Sequence, residues 1–504
     1  MSTDPHATNV IRFRLDGATI ELADPAPTRT LLEFLREDLG RCGTKEGCAE
    51  GDCGACTVVI GTPKAERIDW RTVNACIRFL PMLNGCEVVT VESLAAPDGT
   101  LHPVQEAMVE AHASQCGFCT PGFVMSLFGL YLDNPHPDRA TACAALAGNL
   151  CRCTGYRPIL DAACKPHRGH PAPVRWSRND AQSGERRAAL AAIQPTRPVH
   201  IAPRPGVHNG FDAPLNLDDL ARLCVEHPDA LLLAGATDIG LWVTKQLRTL
   251  PRLIYLGQVS ALAQVHRTRD RLHVGAAVSL SDGLKAVVQE YPMLAELAER
   301  FASPPIRNAG TLVGNIANGS PIGDSMPVLI ALGATVTLRQ GGARRELPLE
   351  DLYLGYQKKA LGPGEFVASV NVPLAQAERR VASYKVAKRR DQDISAVCAG
   401  IAVDVRDGVI TAARIAFGGM AATPRRAAAA EAALAGQPFS AASFDAAAAA
   451  LASDYQPLTD MRASADYRLL VAGNLLRRFF LEHARDPAAT TAHPPLTVAE
   501  LGPV

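Results

Sequence analysis

A loop dense in glycine and cysteine occupies residues 41–56, which read RCGTKEGCAEGDCGAC. Its cysteines Cys48, Cys53 and Cys56 are separated by four and then by two residues, and Cys76 follows further on. This is the plant-type C-x4-C-x2-C…C spacing, in which four thiolates hold a [2Fe–2S] cluster. The glycines let backbone amides approach the sulfurs, and such hydrogen bonds help to set the reduction potential. The loop therefore predicts a cluster site inside a small folded module.

A structural zinc site is the alternative for these cysteines, because Zn²⁺ also accepts four thiolates. Zinc sites usually pair two short C-x2-4-C units, which favours the cluster here. Cys42 lies six residues before Cys48 and does not fit the ligand spacing, so we interpret it as a free thiol near the cluster. Five further cysteines lack partners at ligand spacing and are assigned no role: Cys86, Cys143, Cys164, Cys224 and Cys398.

A second group of cysteines consists of a C-x2-C pair, Cys116 and Cys119, and a C-x-C pair, Cys151 and Cys153. Both pairs fall at predicted helix ends, where backbone amides can donate to sulfur. Four thiolates again suit two irons, although this spacing alone is less specific than that of the first group.

The composition is that of a folded protein with several domains. The chain has 504 residues, of which 47% are hydrophobic and 20% charged, and it exceeds the size of a single core. Its 51 basic and 51 acidic residues cancel, so we expect no nucleic-acid partner. The first nine residues lack signal-peptide features, and no 18-residue apolar run suggests a membrane span. We expect a cytoplasmic protein with reduced cysteines.

Hydrophobic periodicity divides the N-terminal part into two modules. Strand-like stretches at residues 10–15, 19–23, 57–60 and 87–91, with a helical pattern from Leu31 to Leu39, predict a small α+β module. Residues 103–164 are helical in pattern, with Thr120 as an N-cap before Pro121, and predict a small helical bundle. The next stretch is rich in Pro, Arg, His and Ala and is typical of an extended connector.

The rest of the chain alternates short strands and helices. Strand-like runs at residues 230–234, 272–275 and 334–338 predict an α+β domain, and runs at 394–405 and 409–417 precede Ala-rich helices. The predicted boundaries are 1–93 and 94–165 for the cysteine modules, 166–209 for the linker, 210–380 for the α+β domain and 381–493 for the C-terminal α+β domain.

Two glycine-containing loops in this larger part are candidate phosphate sites. Residues 231–240 read LLLAGATDIG, in which a strand runs into a turn and then a helix, so that free amides suit a pyrophosphate. Residues 314–324 read GNIANGSPIGD and permit close backbone approach. Two ordinary tight turns are the alternative. No G-x-G-x-x-G occurs, so a Rossmann domain is not supported.

The cysteine motifs resemble the iron–sulfur half of molybdenum hydroxylases. The matching stretches are GTKEGC at 43–48, GDCGAC at 51–56, NAC at 74–76, QCGFCTPG at 115–122 and GNLCRCTGY at 148–156. This resemblance implies a plant-ferredoxin-like β-grasp domain and a helical-bundle domain, each with one [2Fe–2S] cluster. The implied iron ligands are Cys48, Cys53, Cys56, Cys76, Cys116, Cys119, Cys151 and Cys153.

Both glycine-containing loops resemble those of the flavin domain in xanthine dehydrogenase-type enzymes, and the match continues through residues 384–395 and 417–420. It implies an α+β FAD-binding domain of the PCMH/vanillyl-alcohol-oxidase type and a C-terminal domain like that of CO dehydrogenase flavoproteins. Carried over by position, the FAD residues are Leu231, Leu232, Leu233, Ala234, Gly235, Ala236, Thr237, Asp238, Phe301, Thr311, Leu312, Val313, Gly314, Asn315, Asp324, Val367 and Lys385.

Three positions carry further expectations. The family usually has two glycines before the asparagine of the second loop, whereas this chain has Val313 and then Gly314, which would obstruct close approach of the pyrophosphate. No catalytic residue is assigned on this chain apart from Lys385, which the resemblance places near the flavin, and a solvated cation beside a basic run is the alternative. Gln115 would touch the pterin of a partner, and an exposed loop amide is the alternative.

The resemblance also implies a function, that of the small iron–sulfur and FAD subunit of bacterial xanthine dehydrogenases. A large subunit would hold the molybdenum cofactor, with two copies of each subunit. Electrons from hypoxanthine or xanthine would cross the cluster of Cys116 and its partners, then the cluster of Cys48 and its partners, to reach FAD and NAD⁺. Flavin suits this position because it handles both single electrons and hydrides. The alternatives are an aldehyde or N-heterocycle substrate, oxygen as acceptor, or a stand-alone carrier or zinc-stabilised scaffold.

Overall fold

The computed structural model describes residues 7–165, 176 and 182–485. The chain divides into two compact units, of which the first comprises Met1–Ser260 with Ala302–Gly310 and the second Ala261–Phe301 with Thr311–Val504. Among the helices of the described ranges, none has the length and apolar character needed to cross a bilayer. The predicted α+β multidomain class is confirmed.

The first unit begins with a five-stranded sheet. Its strands in chain order are Val10–Leu15, Ala18–Ala23, Thr57–Lys64, Arg67–Asn74 and Glu87–Val89. They lie in the order second, first, fifth, third, fourth, and the central pairing of the first with the fifth strand is parallel. Alternate residues of the first strand, Ile11, Phe13 and Leu15, are fully buried, as the period-2 pattern predicts. The helical turns Leu31–Glu33 and Phe34–Asp38 contribute to the same core.

A small helical domain follows in the same unit. Its helices are Pro103–Glu110, Thr120–Asp133, Arg139–Leu146 and Arg157–Ala163. The N-cap of the second helix is Cys119, so the prediction of Thr120 is wrong by one position, although Pro121 does lie in the first turn. The helix therefore begins immediately after Cys119 of the C-x2-C pair.

The segment expected to be an extended connector contains regular structure. Residues 166–175 and 177–181 of the predicted linker lie outside the described residues. Beyond them the chain forms the helix Ser183–Ala192, so the expectation of an extended chain is wrong there, and the strand Val199–Ile201 then joins a sheet. Leu190 is fully buried and Arg186 stacks on Trp176 at 4.5 Å, which fixes the helix against the helical domain's core.

A four-stranded sheet completes the first unit. Its strands in chain order are Val199–Ile201, Phe211–Ala213, Leu231–Leu233 and Leu253–Tyr255. They lie in the order first, second, fourth, third, and the last strand pairs in parallel with both of its neighbours. The accompanying helices are Leu217–Glu226, Ile239–Thr244 and Pro304–Ala309.

The second unit contains two antiparallel sheets. The strands of the first are Val265–Arg267, Arg271–Gly275, Thr335–Gln340, Ala343–Pro348 and Phe366–Pro373, in the spatial order first, second, fifth, third, fourth. The strands Tyr353–Gly355 and Lys358–Lys359 form a separate hairpin. The helices of this part are Leu280–Glu290, Ala295–Arg300, Leu312–Asn318 and Ser325–Leu332.

The second sheet of this unit belongs to the C-terminal part. Its strands pair in chain order and are Arg379–Val386, Val397–Arg406, Val409–Gly418 and Arg425–Arg426. The helices Ala428–Leu434, Ala441–Asp454 and Ala465–Arg485 follow, as the Ala-rich pattern predicts. Residues 486–493 of the predicted C-terminal domain lie outside the described residues, and the domain boundaries stay predictions.

Candidate iron–sulfur and flavin sites

The loop after residue 47 turns its backbone amides toward one sulfur. The N–H groups of Glu50, Asp52 and Cys53 donate to the Sγ of Cys48 at 3.4, 3.3 and 3.3 Å. A positive φ of 80° at Gly51 produces the turn that brings them together. Several converging amides stabilise negative charge on sulfur, which is the environment that a cluster thiolate requires.

The four sulfurs of the first group form two close pairs. The Cys53 thiol donates to the Cys48 sulfur, which lowers the pKa of Cys48 to about 5 and raises that of Cys53. Cys56 and Cys76 form the second, buried pair. Their hydrogen bond lowers the pKa of Cys56 and raises the pKa of Cys76. Two adjacent thiolate pairs are the donor set that a two-iron cluster takes.

A buried amide completes this site. Asn74 is 2% exposed, and its Nδ2 lies 3.9 Å from the Sγ of Cys56. The residues present fit a [2Fe–2S] cluster, and Cys48, Cys53, Cys56 and Cys76 stay its predicted ligands.

The second group of cysteines also comes together in pairs, although the two pairs are distant in sequence. The sulfurs of Cys116 and Cys153 are 3.5 Å apart, and both residues are exposed. Cys119 and Cys151 form the other pair, and burial together with this hydrogen bond raises the pKa of Cys119 to about 12. The Cys151 sulfur lies 3.2 Å from the Oγ1 of Thr154. This arrangement also fits a [2Fe–2S] cluster.

The ligand loops of the two cysteine groups touch through their backbones. The amide of Leu150, directly before Cys151, donates to the carbonyl of Cys53 at 3.0 Å. A Cβ at Gly54 would overlap the carbonyl oxygen of Gly148, so the two loops approach as closely as glycine allows. Both cluster sites therefore belong to one packed region of the first unit.

The first candidate flavin loop also lies in the first unit. It joins the strand Leu231–Leu233 to the helix Ile239–Thr244, as predicted. Ala236 has a φ of 62°, and a Cβ at Gly235 would overlap the carbonyl oxygen of Ala309. Within the described part of the chain, the amides of residues 234–238 donate to no backbone carbonyl. Free amides in a strained turn suit an anionic group such as a pyrophosphate.

The helix that follows this loop lies against the first cluster site. The Nζ of Lys245 donates to the carbonyl of Cys48 at 3.0 Å and lies 3.7 Å from the carboxylate of Glu50. Ile77, next to Cys76, packs on Gly240 of the helix. No sequence pattern predicts these contacts of Lys245, which are visible only in the fold.

The second candidate flavin loop lies in the second unit. Thr311 is the N-cap of the helix Leu312–Asn318, and its Oγ1 accepts from the amide of Gly314 at 3.0 Å. Val313 is 1% exposed, so its side chain lies in the interior and not on a surface that a ligand could touch. The expected obstruction therefore does not come from that side chain.

Two further predicted flavin residues form a buried ion pair in the second unit. The Nζ of Lys385 lies 2.6 Å from Oδ2 of Asp324, and the Oγ of Ser395 donates to Oδ1 of Asp324 at 2.5 Å. Lys385 and Asp324 are 8% and 6% exposed, so the alternative of a solvated cation is wrong. Phe301 and Val367 are also buried in this unit, and the role of all these residues toward FAD stays a prediction.

Four family models match successive parts of the chain. They are the 2Fe-2S iron-sulfur cluster binding domain at residues 13–79, the [2Fe-2S] binding domain at 90–164, the FAD binding domain in molybdopterin dehydrogenase at 209–375 and the CO dehydrogenase flavoprotein C-terminal domain at 382–483. The two cysteine groups and both candidate flavin loops fall inside the corresponding matches.

Curated relatives and solved structures agree with these matches. Xanthine dehydrogenase of Drosophila pseudoobscura pseudoobscura is 34% identical over 82% of this chain and 35% of that protein. Xanthine dehydrogenase/oxidase of Gallus gallus is 32% identical over 83% of this chain and 36% of that protein. The chain thus spans about a third of the length of these relatives.

Among solved structures, carbon monoxide dehydrogenase from Hydrogenophaga pseudoflava is 30% identical, with a TM-score of 0.51 over 53% of this chain and 94% of that chain. Quinoline 2-oxidoreductase from Pseudomonas putida 86 is 26% identical, with a TM-score of 0.50 over 55% of this chain and 97% of that chain.

The folds, the two cysteine sites and the matched domains define an iron–sulfur flavoprotein that carries two [2Fe–2S] clusters and FAD. Its relatives place it more narrowly. The chain belongs to the molybdenum hydroxylase family, in which it corresponds to the part that binds iron–sulfur clusters and flavin.

Proposed function

We propose that this chain is the electron-transfer component of a cytoplasmic xanthine dehydrogenase. In this proposal, hypoxanthine or xanthine is oxidised at a molybdenum cofactor on a partner subunit, and the electrons pass through both cluster sites to FAD and then to NAD⁺. The clusters supply one-electron transfer, and the flavin joins it to the two-electron chemistry of nicotinamide. Two copies of each subunit are proposed for the complex.

The observation that carries the proposal is the order of the sites in the first unit. The loop of Cys151 touches the loop of Cys53 through the Leu150 amide, and the loop of Cys48 touches the helix after the first flavin loop through Lys245. The first cluster site therefore lies between the second cluster site and this loop. Such an arrangement supports a directed path from the exposed Cys116 toward the flavin.

The exposed end of this path is the proposed entry point for electrons. Cys116 and Cys153 are exposed, and Gln115 is an exposed residue beside them. A redox partner that covers this surface would bring its own cofactor near the second cluster. We propose that Gln115 contacts the pterin of the molybdenum cofactor there.

The purine substrate is preferred over an aldehyde or an N-heterocycle because the curated relatives named above are xanthine dehydrogenases at 32–34% identity. An N-heterocycle remains the alternative substrate, because one of the structural relatives is a quinoline 2-oxidoreductase. Neither substrate pocket belongs to the sites described on this chain.

Steady-state turnover of the whole complex tests the substrate and the acceptor together. With xanthine and NAD⁺ we expect NADH to form at nearly the same rate with and without oxygen, because NAD⁺ is the proposed hydride acceptor. Absorbance at the NADH band, with oxygen uptake recorded in parallel, measures this. Turnover that produces only reduced oxygen would contradict the acceptor, and turnover with quinoline or an aldehyde but no purine would contradict the substrate.

A further inference from the structure

We propose that Asn149 is a positioning residue that clamps the ligand loops of the two clusters together and so sets the rate at which electrons pass between them. The inference deepens the proposed function, because it takes from it the direction of electron flow. It concerns only residues of the first unit, and nothing in the cysteine spacing points to it.

The side chain of Asn149 is buried and fully engaged. It is 4% exposed, and its Oδ1 accepts from the Oγ of Ser126 at 2.6 Å. Its Nδ2 donates to the carbonyl of Gly54 at 3.1 Å and lies 3.5 Å from the Oγ1 of Thr57. A buried amide that uses both its donor and its acceptor holds its partners in a fixed geometry.

The amide and its partners lie on three different ligand segments. Gly54 lies between Cys53 and Cys56 of the first cluster site. Ser126 lies on the helix Thr120–Asp133, whose N-cap is Cys119 of the second site. Asn149 itself stands two residues before Cys151. One side chain therefore ties the loop of the first cluster to both ligand pairs of the second.

The clamp protects a short bonded connection between the two sets of ligands. The carbonyl of Cys53 accepts from the amide of Leu150, and Leu150 is bonded directly to Cys151. Electron transfer between the clusters depends steeply on the gap, and each hydrogen bond on the route shortens the jump through space. If Asn149 no longer holds Gly54, the adjacent Cys53 carbonyl is free to move away from Leu150.

Only an amide fills this position. Asparagine accepts from Ser126 and donates to Gly54, whereas aspartate lacks the donor and leucine lacks both groups. Alanine leaves the buried Ser126 hydroxyl without its acceptor and the Gly54 carbonyl with one donor fewer, and such losses loosen a buried network. The Gly54 carbonyl still accepts from the Thr57 amide and hydroxyl, so the first loop keeps its local fold.

The test is EPR spectroscopy of the fully reduced full-length chain as Asn149→Ala. Each reduced cluster carries one unpaired electron, and the magnetic interaction between the two splits their signals according to their separation and coupling. We expect the splitting to change while the iron content is retained. We also expect electron equilibration between the clusters, followed after flash reduction, to slow about tenfold, which corresponds to ~1.4 kcal/mol of barrier.

Two companion variants keep the test decisive. Ser126→Ala removes the hydrogen bond from Ser126 to Asn149 and replaces Asn149→Ala in the test if that variant loses a cluster. It should show the same changes in splitting and rate to a smaller degree. Asn209→Ala is the matched control, because its Nδ2 also donates to a backbone carbonyl, that of Leu250 at 2.6 Å, and neither residue lies on a cysteine ligand segment. Unchanged splitting and rate in an iron-loaded Asn149→Ala or Ser126→Ala chain would overturn the inference.

These readouts separate the inference from the proposed function. They need neither purine, NAD⁺ nor the partner subunit, so a wrong substrate or acceptor leaves them unaffected. A wild-type chain without the two EPR signals would instead refute the proposed function.

Discussion

Replacement of Cys48 by serine is expected to remove the first cluster and to stop electron flow to FAD. Three backbone amides converge on the Cys48 sulfur, and a serine oxygen is a poor substitute for a thiolate ligand of iron. The iron content should fall by about half, because the second cluster has its own four ligands. FAD should stay bound. Iron analysis, EPR and the rate of NAD⁺ reduction by the complex measure these effects.

Cys42→Ser is the matched control for this variant. Cys42 is exposed and lies in the same loop, six residues before Cys48, but it is surplus to the four ligands. Its replacement should leave the iron content and the NAD⁺ reduction rate unchanged. Full iron content in Cys48→Ser, or loss of a cluster in Cys42→Ser, would mean that the ligand assignment is wrong.

Replacement of Asp324 by alanine is expected to destabilise the second unit strongly. It leaves the Lys385 ammonium buried without its partner, and breaking a buried pair in this way costs about 3–5 kcal/mol. The Ser395 hydroxyl loses its acceptor as well. The FAD content should fall together with the stability of this unit.

The measurement must report on the second unit alone, since a chain of two units need not unfold in one step. All three tryptophans, Trp70, Trp176 and Trp242, lie in the first unit, so tryptophan fluorescence is unsuitable. Amide hydrogen exchange of the helix Ser325–Leu332, which follows Asp324, gives the local free energy of opening.

The double variant Asp324→Leu with Lys385→Met is the control for this prediction. It removes both charges, and replacing a buried pair by apolar residues of similar size is often nearly neutral. We expect it to be more stable than Asp324→Ala, which gives a large coupling between the two positions. If the free energy of opening in Asp324→Ala falls by less than about 1 kcal/mol, the ion pair is not buried in solution.

The cysteine spacing and the strand pattern were sufficient to predict much of the fold, because both are local in sequence. The strand Val10–Leu15 was predicted with its observed bounds, since alternate residues Ile11, Phe13 and Leu15 are apolar and become buried. The strand and turn of the first flavin loop were visible for the same reason. The two cysteine groups could be predicted as ligand sets because the cysteine spacings within residues 48–56, 116–119 and 151–153 are short.

The contacts that join the sites could not be predicted, because they link residues far apart in the chain. Asn149 bonds to Gly54 across 95 positions, and Lys245 bonds to Cys48 across 197. A solvated cation was the alternative for Lys385, because its partner Asp324 lies 61 positions away in the sequence. In the fold the two residues are buried together. Sequence spacing carries no information on which distant polar groups meet in the core.

The helix in the expected connector was missed for a different reason. Residues 183–192 contain four alanines, which favour a helix, but Pro171 and Pro173 before them and Pro195 and Pro198 after them made the whole segment look like an extended connector. The burial of Leu190 and the stacking of Arg186 on Trp176 depend on the helical domain being present. Tertiary contacts therefore decide this segment.

The metal, sulfide and flavin content of the purified full-length chain, with the EPR spectrum after reduction, tests the central claim most directly. We expect two [2Fe–2S] clusters and one FAD per chain, with two distinct EPR signals that interact magnetically. Zinc in place of iron, together with an absorption spectrum that lacks flavin bands, would contradict it.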